Sequence, residues 1–190
     1  MRRSVLADQA EREAHQRSRV EAGRQIIGLP TVPNGLDEIR DIYGWPVNES
    51  GKADEAFYSS RIKRFDLPFS MRLSWNKATS VRRSVAHELV IDSLVDALTE
   101  IRDYKGAQYL EENNLDLFGG IYAFRFKRGQ EVPSTHAWGI AIDINPDLGR
   151  MGEKPRMPSF IVDAFKSRGW IWGGDWSHPD GMHFQACSGY

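Results

Sequence analysis

The stretch Ser134 to Pro146, STHAWGIAIDINP, constrains this chain more than any other. From Gly139 to Ile144 small and apolar residues run together with a single charge at Asp143, a pattern that predicts a buried central strand. His136 precedes that strand, and the Trp138-Gly139 pair lets the chain bend between the histidine and the aspartate. The stretch is answered further on by Asp180-Gly-Met-His183-Phe. One imidazole from His136, a carboxylate from Asp143 and a second imidazole from His183 would make three protein ligands, and a catalytic zinc site needs three plus an open position. Asp180 is then left over as a base. Two histidines and an aspartate occur somewhere in most chains, so by itself the set does not decide between metal binding and packing. Geometry separates the last two residues: in a strand, residues three apart face opposite ways, so Asp180 belongs to a loop and His183 to a strand.

Composition narrows the chemistry. Lys plus Arg number 25 against 26 Asp plus Glu, a net charge of -1, so bulk electrostatics recruit neither nucleic acid nor an anionic membrane. Cys187 is the only cysteine, which excludes an internal disulfide and a four-thiolate zinc site. Any metal must be held by histidine and carboxylate. The first residues, MRRSVLADQAEREAHQRSRVEAGRQIIG, are basic at the start but lack the apolar run of a secretory signal. No stretch approaches the ~20 apolar residues that span a bilayer. The expectation is synthesis in the cytoplasm, with something else delivering the protein if its substrate lies outside.

A chain of 190 residues suits one compact domain with an appendage. Residues 1–27, rich in Ala, Glu, Arg and Gln, predict an exposed helix, so 1–34 reads as an N-terminal helical extension and 35–190 as the main domain. The extension is either a docking arm or a helix laid on the surface. Asn34 is placed to cap a short helix through Leu36, Ile39 and Tyr43, ended by Gly44. RIKRF and FSMRLSW, divided by Pro68, suggest two strands or a strand and a covering loop. From Thr79 to Tyr104, Val81, Val85, Leu89, Leu94, Leu98 and Ile101 recur at helical spacing and predict one long helix, with His87 inside it in a packing role. Phe118 to Phe126 is β-prone, Ser159 to Phe165 reads as a short helix ended by Gly169, and GMHFQAC reads as a strand. The fold class is α+β: a small, mainly antiparallel sheet flanked by helices.

Other polar and aromatic residues weigh less. His178 reads as a loop residue; Trp138, Trp170, Trp172 and Trp176 read as walls and core beneath a site. Ser134 and Thr135 lack a second histidine and acid to make a nucleophile, and Cys187 reads as buried and inert.

Taken in order, STHAWGIAIDINP, WGGDW and Asp180-Gly-Met-His183-Phe resemble the signature of the D-alanyl-D-alanine carboxypeptidase and L-alanyl-D-glutamate endopeptidase family of zinc peptidases, which includes phage endolysins. The resemblance covers residues 118–187 and, loosely, the helical segment before them; residues 1–60 carry no matching motif. It implies a hedgehog/DD-peptidase-like zinc peptidase fold, Zn2+ as cofactor on His136, Asp143 and His183, and Asp180 as catalytic base. It also implies an arginine stabilising the oxyanion, for which Arg125 is the better match and Arg128 a possible substitute. The implied partner is the stem peptide of bacterial peptidoglycan. A monomeric phage-type lysin, released to the wall or carried in a virion, is the expected setting. The competing readings are a non-catalytic, zinc-bearing wall-binding module and a virion structural module; Asp180 discriminates, since a pure binder has no need of it.

Overall fold

The computed structural model describes residues 32–190; the helix expected over residues 1–27 lies outside them. Helix α1 (Leu36–Tyr43) buries Ile39 and Tyr43 and ends at Gly44. Asn34 does not cap it: its side chain takes the Ser188 hydroxyl at 3.2 Å, while Glu38 reaches back to the Asn34 N–H at 2.9 Å. Helix α2 (Glu55–Arg61) is capped by Asp54, whose carboxylate accepts from the Phe57 N–H. It leads into a hairpin of β1 (Ile62–Leu73) and β2 (Asn76–His87). Helix α3 (Ile91–Lys105) follows, then α4 (Ala107–Glu112), β3 (Leu117–Gly120), β4 (Ala141–Ile144), α5 (Ser159–Lys166), β5 (Ile171–Trp172) and β6 (His183–Gln185).

The six strands form one mixed sheet in the order β2-β1-β3-β4-β6-β5. Every neighbouring pair is antiparallel except β1 with β3. The α+β, mainly antiparallel expectation therefore holds, with one parallel pairing added. That parallel junction is pinned by Arg72 on β1, whose Nε donates to Asp116 at 2.7 Å and whose terminal nitrogen reaches its other oxygen at 2.6 Å. Bidentate geometry of this kind fixes orientation as well as adding energy.

The single long helix expected over Thr79 to Tyr104 is corrected. Its first half is strand β2, residues 88–90 form one 3-10 turn, and only Ile91–Lys105 is helical. Val81 and Val85 misled because residues four apart share a face in a strand as well as in a helix. In the sheet Val81 opposes Met71 and Val85 opposes Arg64. His87 accordingly ends a strand, fully buried: Nε2–H donates to the Tyr43 carbonyl (3.0 Å) and Nδ1 accepts from the Leu89 N–H (3.2 Å). Conversely, Pro68 does not split β1. The ladder slips between Asp66 and Met71, and the irregularity accommodates a residue with no N–H to give. The β-prone run Phe118 to Phe126 is strand only as far as Gly120.

The core lies between the sheet and its helices. Leu94, Ala97, Leu98 and Ile101 of α3 and Ile161, Ala164 and Phe165 of α5 are buried with Leu67, Phe69 and Met71 of β1 and Phe184 of β6. Burying each large side chain contributes ~1.5–3 kcal/mol, and this packing holds β4 and β6 in the middle of the molecule. Trp138 and Trp170 belong to the same core, as expected, and Cys187 is buried with its thiol pushed up to about 12 by that burial. Among the described residues no helix is long and apolar enough to cross a membrane.

Candidate active site

Each side chain of the candidate site is set by a different local device. His136 sits in the 3-10 turn Thr135–Trp138, which Ser134 caps: the hydroxyl accepts from the His136 N–H at 3.4 Å. The turn closes on Gly139, whose N–H donates to the His136 carbonyl at 3.1 Å. The His136 ring is fixed by its Nδ1–H, which donates to the Ile121 carbonyl at 2.7 Å. That bond leaves the Nε2 lone pair facing inward. It is buried, has no hydrogen-bond partner, and lies 3.3 Å from an Asp143 oxygen.

Asp143 and His183 meet because β4 and β6 pair in the register that sets them directly opposite each other. Directly opposed residues project to the same face. Nδ1 of His183 is 2.9 Å from the same Asp143 oxygen, and Nε2 on the far side lies 3.1 Å from Gln185 Oε1 and 3.4 Å from Thr135 Oγ1. Burial by itself would raise the Asp143 carboxyl, but the two imidazoles outweigh it and hold the acid well below the carboxylate range. Burial would likewise lower His183, and Asp143 overcomes it and raises the imidazole.

One ligand atom from each of His136, Asp143 and His183 lies within 4.8 Å of the other two, so the three could hold a metal ion. The donor set fits. Two imidazoles and a carboxylate suit zinc, and each histidine has its outward nitrogen engaged, His136 on a carbonyl and His183 on an amide, as metal-bound histidines do.

Asp180 lies in the loop before β6 and His183 begins the strand, the division that their spacing predicts. Asp180 is 5% exposed, and its Oδ1 has no partner. Burial raises its carboxyl; His183 opposes the shift, Asp143 adds to it, and His136 and Arg125 oppose it more weakly. Of the two arginines weighed from the sequence, Arg125 is thus one whose charge reaches Asp180. Both guanidinium-bearing residues are exposed, and the Arg125 carbonyl ties its segment to the site by accepting the Ser134 N–H at 2.9 Å.

The loop carrying Asp180 is held from two sides. The Asp180 N–H donates to the Gly173 carbonyl at 2.9 Å, and Trp172 Nε1 donates to the Gly181 carbonyl at 2.9 Å. Gly173 is forced by proximity, since a Cβ there would stand 2.5 Å from the Asp180 carbonyl oxygen. Gly119 plays the same part under Asp143, where a Cβ would stand 2.8 Å from that side chain's own Cβ. Across the loop, Met182 N–H donates to Gly149 and Gly152 N–H to Pro179. His178 is exposed and leans on Gly152, and Trp176 flanks the His183 ring at 5.5 Å. The sequence reading missed Gly119, Gly173 and Gln185; only the WGGDW motif carried a trace of them.

Residues 128–186 match the family model described as D-alanyl-D-alanine carboxypeptidase. The matched segment contains His136, Asp143, Asp180 and His183, and stops short of Arg125. It supports a place among these peptidases and a hydrolase activity, in agreement with the resemblance read from the motifs. No curated protein and no solved structure matches the chain.

Proposed function

We propose that the chain is a zinc metallopeptidase that hydrolyses a peptide bond in the stem peptide of bacterial peptidoglycan, of the D-alanyl-D-alanine carboxypeptidase or L-alanyl-D-glutamate endopeptidase type. The observation that carries this reading is the pairing of an inward-facing His136–Asp143–His183 triplet with a buried, unpartnered Asp180 carboxylate beside it. A binding module has no use for the fourth group. The phage-lysin setting is part of the proposal and rests on the motif resemblance alone.

In this reading His136 Nε2, an Asp143 oxygen and His183 Nδ1 would hold the ion. A zinc ion held there would supply Lewis acidity to a bound water and to the scissile carbonyl. Asp180 takes a proton at Oδ1 and returns it to the leaving amine, a role that typically contributes 10²–10⁴-fold. Burial raises its carboxyl above the ordinary carboxylate value, the direction that favours accepting a proton. Arg125, whose charge reaches Asp180, is the residue proposed to stabilise negative charge developing on the carbonyl oxygen, a contribution on the order of 3 kcal/mol for one such donor.

The test is to incubate zinc-loaded protein with purified peptidoglycan and identify new amino termini by mass spectrometry. Asp180→Asn is expected to lower turnover ~10²–10⁴-fold with zinc content intact, and His136→Ala to lose the zinc. Full turnover by Asp180→Asn overturns the role given to Asp180, and the absence of any new terminus from walls of several chemotypes overturns the enzyme reading.

A further inference from the structure

Gln185 stands two residues beyond His183 on the same strand, so its side chain lies on the same face of the sheet. It is buried, at 3% exposure, and both ends of its amide are engaged. Oε1 lies 3.1 Å from His183 Nε2, and Nε2 donates to the Cys187 carbonyl at 3.1 Å. The second bond decides the orientation of the amide. With the NH₂ group committed to a carbonyl, only the oxygen is left to meet the imidazole, so His183 Nε2 carries a hydrogen, and it is Nδ1, facing Asp143, that can give up its proton to bind an ion. Thr135 Oγ1, at 3.4 Å, stands on the same side.

We infer that Gln185 is the positioning residue that fixes the His183 tautomer, presenting Nδ1 as the metal-binding lone pair. The inference rests on the metal reading above and extends it to a residue outside the ligand set. It also accounts for a buried glutamine in a short strand whose neighbours, Phe184 and Ala186, are core residues. An amide placed there without its two bonds would be costly, so a packing role alone would be served better by an apolar side chain. His136 has the equivalent support from a backbone carbonyl, at Ile121, which no side-chain substitution can remove. Gln185 is thus the one ligand support in the pair that mutation can address.

The experiment measures zinc affinity by chelator competition in the parent chain, Gln185→Leu and Gln185→Glu, with the His183 ring read by ¹⁵N–¹H correlation in the zinc-loaded proteins. Gln185→Leu is expected to bind zinc ~10–100-fold more weakly, as loss of such a support does elsewhere. Gln185→Glu keeps an acceptor for Nε2–H and loses the donor to Cys187, so it is expected to hold zinc within a few-fold of the parent, with Nε2 still protonated. Equal loss in both variants means that the strap to Cys187 is what matters and overturns the inference, as does parent-like affinity in Gln185→Leu. If Gln185→Leu does not fold, the glutamate variant still decides: weak binding in a folded Gln185→Glu overturns the inference. A parent chain that takes up no zinc overturns the metal reading, and this assignment with it, and is recognised because the defect is already present before any substitution.

Discussion

At the scale of single residues, the site keeps two of its polar atoms buried and unpaired, while Asp143 and His183 are paired with each other. His136 Nε2 and Asp180 Oδ1 are buried without partners, and leaving such atoms unsatisfied costs ~1–3 kcal/mol apiece. A cost of that kind persists where function requires it. His136, Asp143, Asp180 and His183 were legible as candidates because they sit in the ordered motifs STHAWGIAIDINP and Asp180-Gly-Met-His183-Phe. Gly173 and Gln185 were not, because what makes them necessary is an approach by a distant backbone or ring. Gly173→Ala tests this directly. With a Cβ 2.5 Å from the Asp180 carbonyl, the loop must shift. Turnover is expected to fall ~10²-fold, the scale of a 1 Å misplacement, while zinc affinity by chelator competition stays within a few-fold of the parent. Comparable loss of both would mean that Gly173 supports the sheet as a whole.

At the scale of elements, the outcome divided by how regular each signal was. The buried strand at Ala141–Ile144, the helix at Ser159–Lys166 and the last strand stand where their patterns predict them. The β2–α3 junction does not, because apolar residues at every fourth position satisfy either geometry and only pairing with β1 decides. A three-residue 3-10 turn, with His87 Nδ1 taking the Leu89 N–H, makes the switch from strand to helix. Beyond it α3 is a conventional amphipathic helix whose Leu98 is 1% exposed. Leu98→Ala is expected to cost ~2–5 kcal/mol, read as a lowered urea midpoint with an unchanged slope. A cost below ~1 kcal/mol would mean that α3 is not part of the shared core.

At the scale of the whole molecule, His87 joins α1, the hairpin and the turn before β4. Its backbone N–H donates to Gly139 at 3.0 Å, its ring donates to Tyr43, and it packs against the Tyr43 and Phe57 rings. Burial, only partly offset by the bond to Tyr43, lowers its imidazole to about 4. The folded chain therefore holds His87 neutral where the unfolded chain would protonate it. The stability this contributes is full above the unfolded value of ~6.5 and is lost as pH falls toward 4, on the order of 3 kcal/mol in all. Urea titrations of metal-free protein at pH 7 and 4.5 should show that loss in the parent and a smaller one in His87→Gln. Identical losses would assign the acid sensitivity to other groups. This junction was invisible in the sequence, where His87 looked like one more helical residue.

The order of the strands leaves the sheet with two very different borders. β5, two residues long, offers almost no backbone to a stranger, whereas β2 runs for twelve residues with most of its length in solvent. A long open border is a template on which another chain can add itself, and a net charge of -1 gives little general repulsion between molecules. The defence has to be local, and β2 supplies it with Lys77, Arg82 and Arg83, all exposed along that border. Two of them are tied to acids, Lys77 to Asp147 at 3.1 Å and Arg83 to Asp66 at 2.8 Å, so the charge along that border is held in place on a strand far in sequence from the site.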